Sequence, residues 1–119
     1  MHRFKELKVW QKSVDLAVDT YKMTKDFPSE EKFGITSQMR RSGVSVPSNI
    51  AEGAGRNTNG EFVHFIGIAE GSANELETQA IISERLSFLT KDDLAKVETS
   101  VSEIKNMLFS LKKSLAVQS

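Results

Sequence analysis

The sequence contains no cysteine, so thiol nucleophiles, cysteine-ligated metals and disulfide frameworks are excluded together. A cysteine-free chain suits a reducing compartment, and the cytoplasm is the expected setting. Proline is nearly as scarce, with only Pro28 and Pro47 in 119 residues. No run approaches the roughly 18 uncharged apolar residues that a membrane-spanning helix needs. The first ten residues are charged and lack an apolar stretch, so no secretory signal is expected there. Charge of one sign is missing too. The 16 Lys and Arg balance the 16 Asp and Glu, giving a net charge of zero. That balance lacks the basic surplus of a general nucleic-acid coat. β-Branched alternation, the mark of strands, is also scarce. A single domain of this length buries about two-thirds of its unfolded surface and requires no metal or disulfide staple.

Helical spacing fills the gap left by these absences. Leu7, Trp10, Val14, Ala17, Tyr21 and Thr24 advance by threes and fours, and Pro28 closes that run near Asp26. Met39, Gly43, Val46, Ile50 and Ala54 repeat the pattern across Pro47. A proline there removes an amide and crowds the Gly43 carbonyl, so a kink or a break into two short helices is expected. A third run carries Phe62, Phe65, Ile66, Ala69, Ala73, Leu76, Ala80 and Leu86, after a capping box at Thr58 and Glu61. Leu94, Val97, Val101, Ile104, Leu108, Leu111 and Leu115 form a heptad seam opened by Thr90 and Asp93. The spacing therefore predicts an all-α, antiparallel up-and-down, left-handed four-helix bundle in one domain, residues 1–119. Its helices are expected at about 8–26, 36–55, 60–89 and 91–115, the second kinked at Pro47.

The charge is neutral only in sum. Residues 58–89 hold one basic and five acidic side chains, with Glu70, Glu77 and Glu84 in one line. The second helix holds the densest polar group, including Arg40, Arg41, Ser48, Asn49, Glu52 and Arg56. An arginine pair can grip phosphate, but no aromatic lies between Gln38 and Gly60 for base stacking. Pairing of Arg40 and Arg41 with Glu52 or with the Glu70 and Glu77 line accounts for the same residues, so an interface is preferred to a phosphate site.

Catalytic chemistry finds little support. Glu61 and His64 make one Glu-x-x-His step, but a di-iron bundle needs a second, and none exists. The Gly53–Gly60 stretch follows a helix rather than a strand and lacks the Lys-Ser/Thr of a phosphate loop. It reads as a helix stop, with Gly53 and Gly55 left-handed, followed by a helix start. No histidine is placed to activate a serine. No catalytic residue, cofactor or metal is therefore expected. Gly67 and Gly71 form a small-residue step in mid-helix at a cost of about 1 kcal/mol each against alanine, which implies close packing on this chain or another.

Three segments are unusual enough to compare with a known family: LKVWQK at 7–12, TSQMRRSGVSVPSNIAEG at 36–53 and GSANELETQ at 71–79. They resemble the small bacterial four-helix-bundle proteins named after open reading frames within 23S rRNA intervening sequences. The likeness runs to about Leu89. It implies a left-handed bundle, a homopentameric ring and no established enzymatic activity. A related group, the accessory proteins of diversity-generating retroelements, shares the bundle and ring and works with nucleic acid. Those relatives are strongly basic, whereas this chain is neutral.

The expected function is therefore a non-enzymatic, homo-oligomeric interaction or scaffold protein. The alternative is an RNA- or retroelement-associated accessory protein binding through the Arg40/Arg41 helix. A helical wheel gives oligomerisation an argument of its own. With Trp10 at zero, Val9, Leu16 and Met23 fall near −100° to −140°, outside the Trp10 arc. Ile68, Ile82 and Leu89 likewise turn away from Phe62. Two such lines imply a contact patch, so Val9, Leu16 and Met23 are placed in the expected subunit interface.

Overall fold

The computed structural model describes residues 2–118 and consists of four helices: α1 (Lys8–Thr24), α2 (Ile35–Ala54), α3 (Asn59–Arg85) and α4 (Lys91–Gln118). Short 3₁₀ turns at Phe4–Glu6 and Ser29–Glu31 precede α1 and α2. No strand occurs among the described residues. The molecule measures 47 × 23 × 20 Å, and 27 residues of α3 at 1.5 Å each make a rod of about 40 Å along its length.

Successive helices run in opposite senses, as their contacts show. Gly43 of α2 lies against Ala17 and Thr20 of α1, and Arg40 reaches Thr24. Along α3, Gly53 meets Phe62, Ser45 bonds Ser72 and Ser83 bonds Met39. Between α3 and α4, Lys112 bonds Glu70 and Lys105 bonds Asn74. The predicted faces of α2 and α4 form the core: Met39, Val46, Ile50, Ala54, Val97, Val101, Ile104, Leu108 and Leu115 are buried. Both sequence-predicted caps are present, Thr58 Oγ1 accepting from the Glu61 amide and Thr90 Oγ1 from the Asp93 amide, each at 3.1 Å.

α2 runs from Ile35 to Ala54 as one helix with Pro47 buried inside it, so it does not break into two. The bend is expected to appear in a crystal structure as a turn of the axis over 43–47, with the Gly43 carbonyl lacking its helical amide. The glycines near its end differ from expectation. No glycine among the described residues has a positive φ, and Gly55 sits at φ −86°. Gly53 is inside the helix and buried, serving close approach rather than a left-handed stop.

The face that α1 turns inward is only partly the predicted one: Ala17 and Thr24 are buried and Leu7 and Trp10 pack against the core as expected, but the centre of the face has shifted. Val9, Ser13, Leu16, Ala17, Thr20 and Thr24 are buried, whereas Tyr21 is largely exposed and Trp10 only partly covered. Val9 and Leu16, the latter 2% exposed, join the same core cluster as Val97, Val101, Ile104 and Leu108 of α4. Met23 packs half-buried against it. These three residues therefore do not form a free interface line, and that expectation is corrected. The reason lies in the hydroxyls. Ser13 Oγ donates to Val9 O, Thr20 Oγ1 to Leu16 O and Thr24 Oγ1 to Thr20 O, at 2.6, 2.7 and 2.8 Å. With its polarity satisfied inside the helix, each hydroxyl is buried at little cost. A polar row in the sequence thus acts as a core row. Thr20→Val leaves no donor or acceptor stranded, so its unfolding free energy from urea denaturation is expected within about 1 kcal/mol of the parent.

α3 ends at Arg85, before the predicted 89. The Ser87 amide bonds Glu84 O at 2.9 Å and the Phe88 amide bonds Ser83 O at 2.8 Å. This is the double bond of a Schellman stop, with Ser87 at φ 64° where glycine is usual. The reversal sends Phe88 onto Phe27, ring centroids 5.8 Å apart, and buries Leu89. Leu89 thus faces the core, contrary to the wheel, and Leu86, placed in the core by its spacing, is exposed. Because Ser87 carries left-handed strain, Ser87→Gly is expected to stabilise the protein by up to about 1 kcal/mol, read as a raised thermal midpoint.

Candidate functional site

Arg40 and Arg41 lie near the start of α2, and the structure surrounds them differently from the predicted ion pairs. Arg40 Nε donates to Thr24 Oγ1 at 2.9 Å and Nη2 to Tyr21 O at 3.4 Å, while the guanidinium lies 4.6 Å over the Tyr21 ring. Arg41 is exposed. Among the described residues neither arginine makes an ion pair with a carboxylate. Glu70 pairs instead with Lys112 of α4 at 2.9 Å, and Glu77 and Glu84 are half-buried without a described cation. The helix-to-helix pairing expected of Arg40 and Arg41 is therefore corrected. Glu70 lies far along α3 from the arginines and is taken by α4.

The missing aromatics come from outside the 38–60 window. Tyr21 arrives from α1, and Phe33, 89% exposed, from the connection before α2, with Lys32 Nζ 5.5 Å from its ring. Tyr21, Lys32, Phe33, Thr36, Arg40 and Arg41 line one hollow of about 350 Å³. Phe33 was within reach of sequence reasoning, being seven residues before Arg40. Tyr21 was not, because only the α1–α2 packing brings it there.

The rest of the predicted constellation divides into two local groups. Asn49 Nδ2 donates to Ser45 O and Ser45 Oγ, and Ser45 bonds Ser72 at 2.8 Å, fastening α2 to α3. Ser48 is exposed beside this group. At the α2–α3 corner Arg56 stacks 5.0 Å over Phe65 and faces Glu61 at 3.3 Å and Glu52 at 3.8 Å. These exposed pairs contribute little stability individually but fix the corner where α3 begins. His64 is exposed with its ring against Phe65. Among the described residues no three carboxylate or imidazole groups converge as a metal site requires. No helix among them is long and apolar enough to cross a membrane.

α3 presents a second feature on the face opposite Phe62. His64, Gly67, Ile68, Gly71, Glu75 and Ile82 fall within an arc of about 100° and are exposed. A methyl added at Gly67 or Gly71 would meet no atom within 4 Å. Their cost in helix stability is thus not offset by packing within the chain. Ile68 and Ile82 remain 40% and 45% exposed on this arc, as the sequence predicted for both.

Comparison with known proteins fits this architecture. No curated protein matches the chain. A crystal structure of a protein of unknown function from the S23 ribosomal protein family of Bacteroides thetaiotaomicron VPI-5482 is similar, with a TM-score of 0.78 and 28% identity. The match covers 88% of this chain and 98% of that one. The family model described as 23S rRNA-intervening sequence protein matches residues 5–110. With four helices and a family match over residues 5–110, the chain belongs to the 23S rRNA-intervening sequence protein family.

Proposed function

We propose that the protein is a non-enzymatic scaffold that assembles from copies of itself through the outward face of α3. The observation that carries this reading is the pair Gly67 and Gly71, open to solvent in one chain and flanked by exposed Ile68 and Ile82. Small residues let another helix approach closely, and the flanking isoleucines supply apolar area to bury. A ring needs a second, different patch to meet the first. Phe109 of α4, 57% exposed with Lys113 Nζ 5.6 Å from its ring, offers an apolar knob and a positive charge for a face that carries Glu75. A count of five subunits rests on the family resemblance.

Sedimentation equilibrium tests the reading. The expected mass at micromolar concentration is a multiple of 13.3 kDa. Gly71→Leu, which fills the notch, and Phe109→Glu are each expected to lower it to that of a single chain without loss of helicity, since both positions are exposed. A mass of 13.3 kDa at every concentration for the parent chain overturns self-assembly. Gly71→Ala separates folding from assembly: the folded chain is expected to gain about 1 kcal/mol from helix propensity, whatever happens to its association.

A further inference from the structure

The hollow between the end of α1 and the start of α2 has a charge that the overall composition conceals. Lys32, Arg40 and Arg41 line it with no carboxylate, in a chain whose net charge is zero. The hollows along α1 and α4 mix both signs instead. Lys12 shares one with Asp15 and Glu103, and Lys22 and Lys96 share the other with Asp19 and Asp93. The nearest carboxylate in sequence, Glu31, does not line the hollow but caps the first turn of α2, its Oε1 accepting from the Ile35 amide at 3.4 Å. The charged side chains that line the hollow are therefore all basic.

A further observation points to an occupant. Phe33 is almost bare beside the cations, where a ring of that size gains nothing from the chain's own core. Arg40 is meanwhile held by Thr24 and Tyr21, so less of its side-chain freedom is lost on binding. A carboxylate ligand would account for the cations but not for the exposed ring. Phosphate beside a planar base accounts for both, since arginine and lysine hold phosphate while an exposed aromatic stacks on bases without regard to sequence.

We infer that this hollow binds single-stranded nucleic acid, with a phosphate among Lys32, Arg40 and Arg41 and a base on Phe33. The site is independent of the α3 face and functions whether or not the chain assembles. Its overall neutrality argues only against coating long nucleic acid, not against gripping a few nucleotides locally.

Fluorescence anisotropy of the full chain with fluorescein-labelled oligouridine tests the inference across a salt series. Binding is expected at low salt and should weaken as salt rises, with a log–log slope of about −0.7 for each phosphate neutralised. Arg41→Ala is expected to reduce that slope by about one phosphate's share. Phe33→Ala should weaken binding about tenfold at every salt concentration and leave the slope unchanged. Both side chains are exposed, so circular dichroism should show folded variants. Arg3→Ala, before the far end of α1, should bind like the parent. Absence of salt-dependent binding, or parental affinity in both Phe33→Ala and Arg41→Ala, overturns the site. Equal competition by uridine monophosphate reassigns it to free nucleotides, and equal competition by polyglutamate to acidic peptides; either result overturns the inference as stated.

Discussion

Phe62→Ala is expected to lower stability by about 3–5 kcal/mol, the largest loss from a single truncation in this chain. Phe62 is buried at the first turn of α3, facing α2 across Gly53 and the His2 ring at 5.1 Å. Truncation removes its apolar contacts and leaves a cavity, because the surrounding helix backbones cannot close around it. For a domain near this size, 1 kcal/mol corresponds to about 4 °C, so the thermal midpoint is expected to fall by roughly 15 °C. Calorimetry at fixed protein concentration checks this, since self-assembly would make the midpoint concentration-dependent. A fall of only a few degrees would mean that the α2–α3 corner repacks freely.

Gly53→Ala is expected to destabilise by about 1–3 kcal/mol, although alanine is the better helix former. A Cβ at this position would lie 2.8 Å from Phe62 Cδ1, 2.8 Å from Phe65 Cβ and 3.2 Å from Phe62 O. The Phe62 ring can rotate aside, but Phe65 Cβ and the Phe62 carbonyl move only with the α3 backbone. Chemical denaturation of the single variants and of the double variant Gly53→Ala/Phe62→Ala separates these terms. Removing the ring relieves one of the three contacts, so the double variant should lose less than the sum of the singles. The opposite sign is expected at Gly71 in the unassembled chain, where an added methyl meets no atom within 4 Å. The same substitution in neighbouring helices thus reports on packing, with helix propensity held constant.

The tenable sequence-level expectations concern features that depend on residues close together in the chain. The heptad seam of α4, the faces of α2 and α3, and the caps at Thr58 and Thr90 follow from spacing and from one hydroxyl reaching an amide three residues on. α2 also accommodates Pro47 without breaking, with Gly43 four residues before the ring and packed on α1. Those local rules determined that this is a chain of four helices and where most of them begin.

The tertiary structure decided what each face meets. Apolar residues alone put the inner face of α1 on the Trp10 side. The core takes the Val9–Leu16 side because Ser13, Thr20 and Thr24 spend their hydroxyls on their own helix and pack as small residues. Glycine is equally ambiguous in sequence. Gly53 is enclosed by α3, whereas Gly67 and Gly71 open outward, and only the position of the neighbouring helix distinguishes a close contact from an empty notch. Arg40 and Arg41 were visible as a pair, but their companions were not. Glu70 pairs with Lys112 of α4, and α1–α2 packing brings Tyr21 to Arg40, because which side chains share a surface is set by helix pairing rather than by distance along the chain.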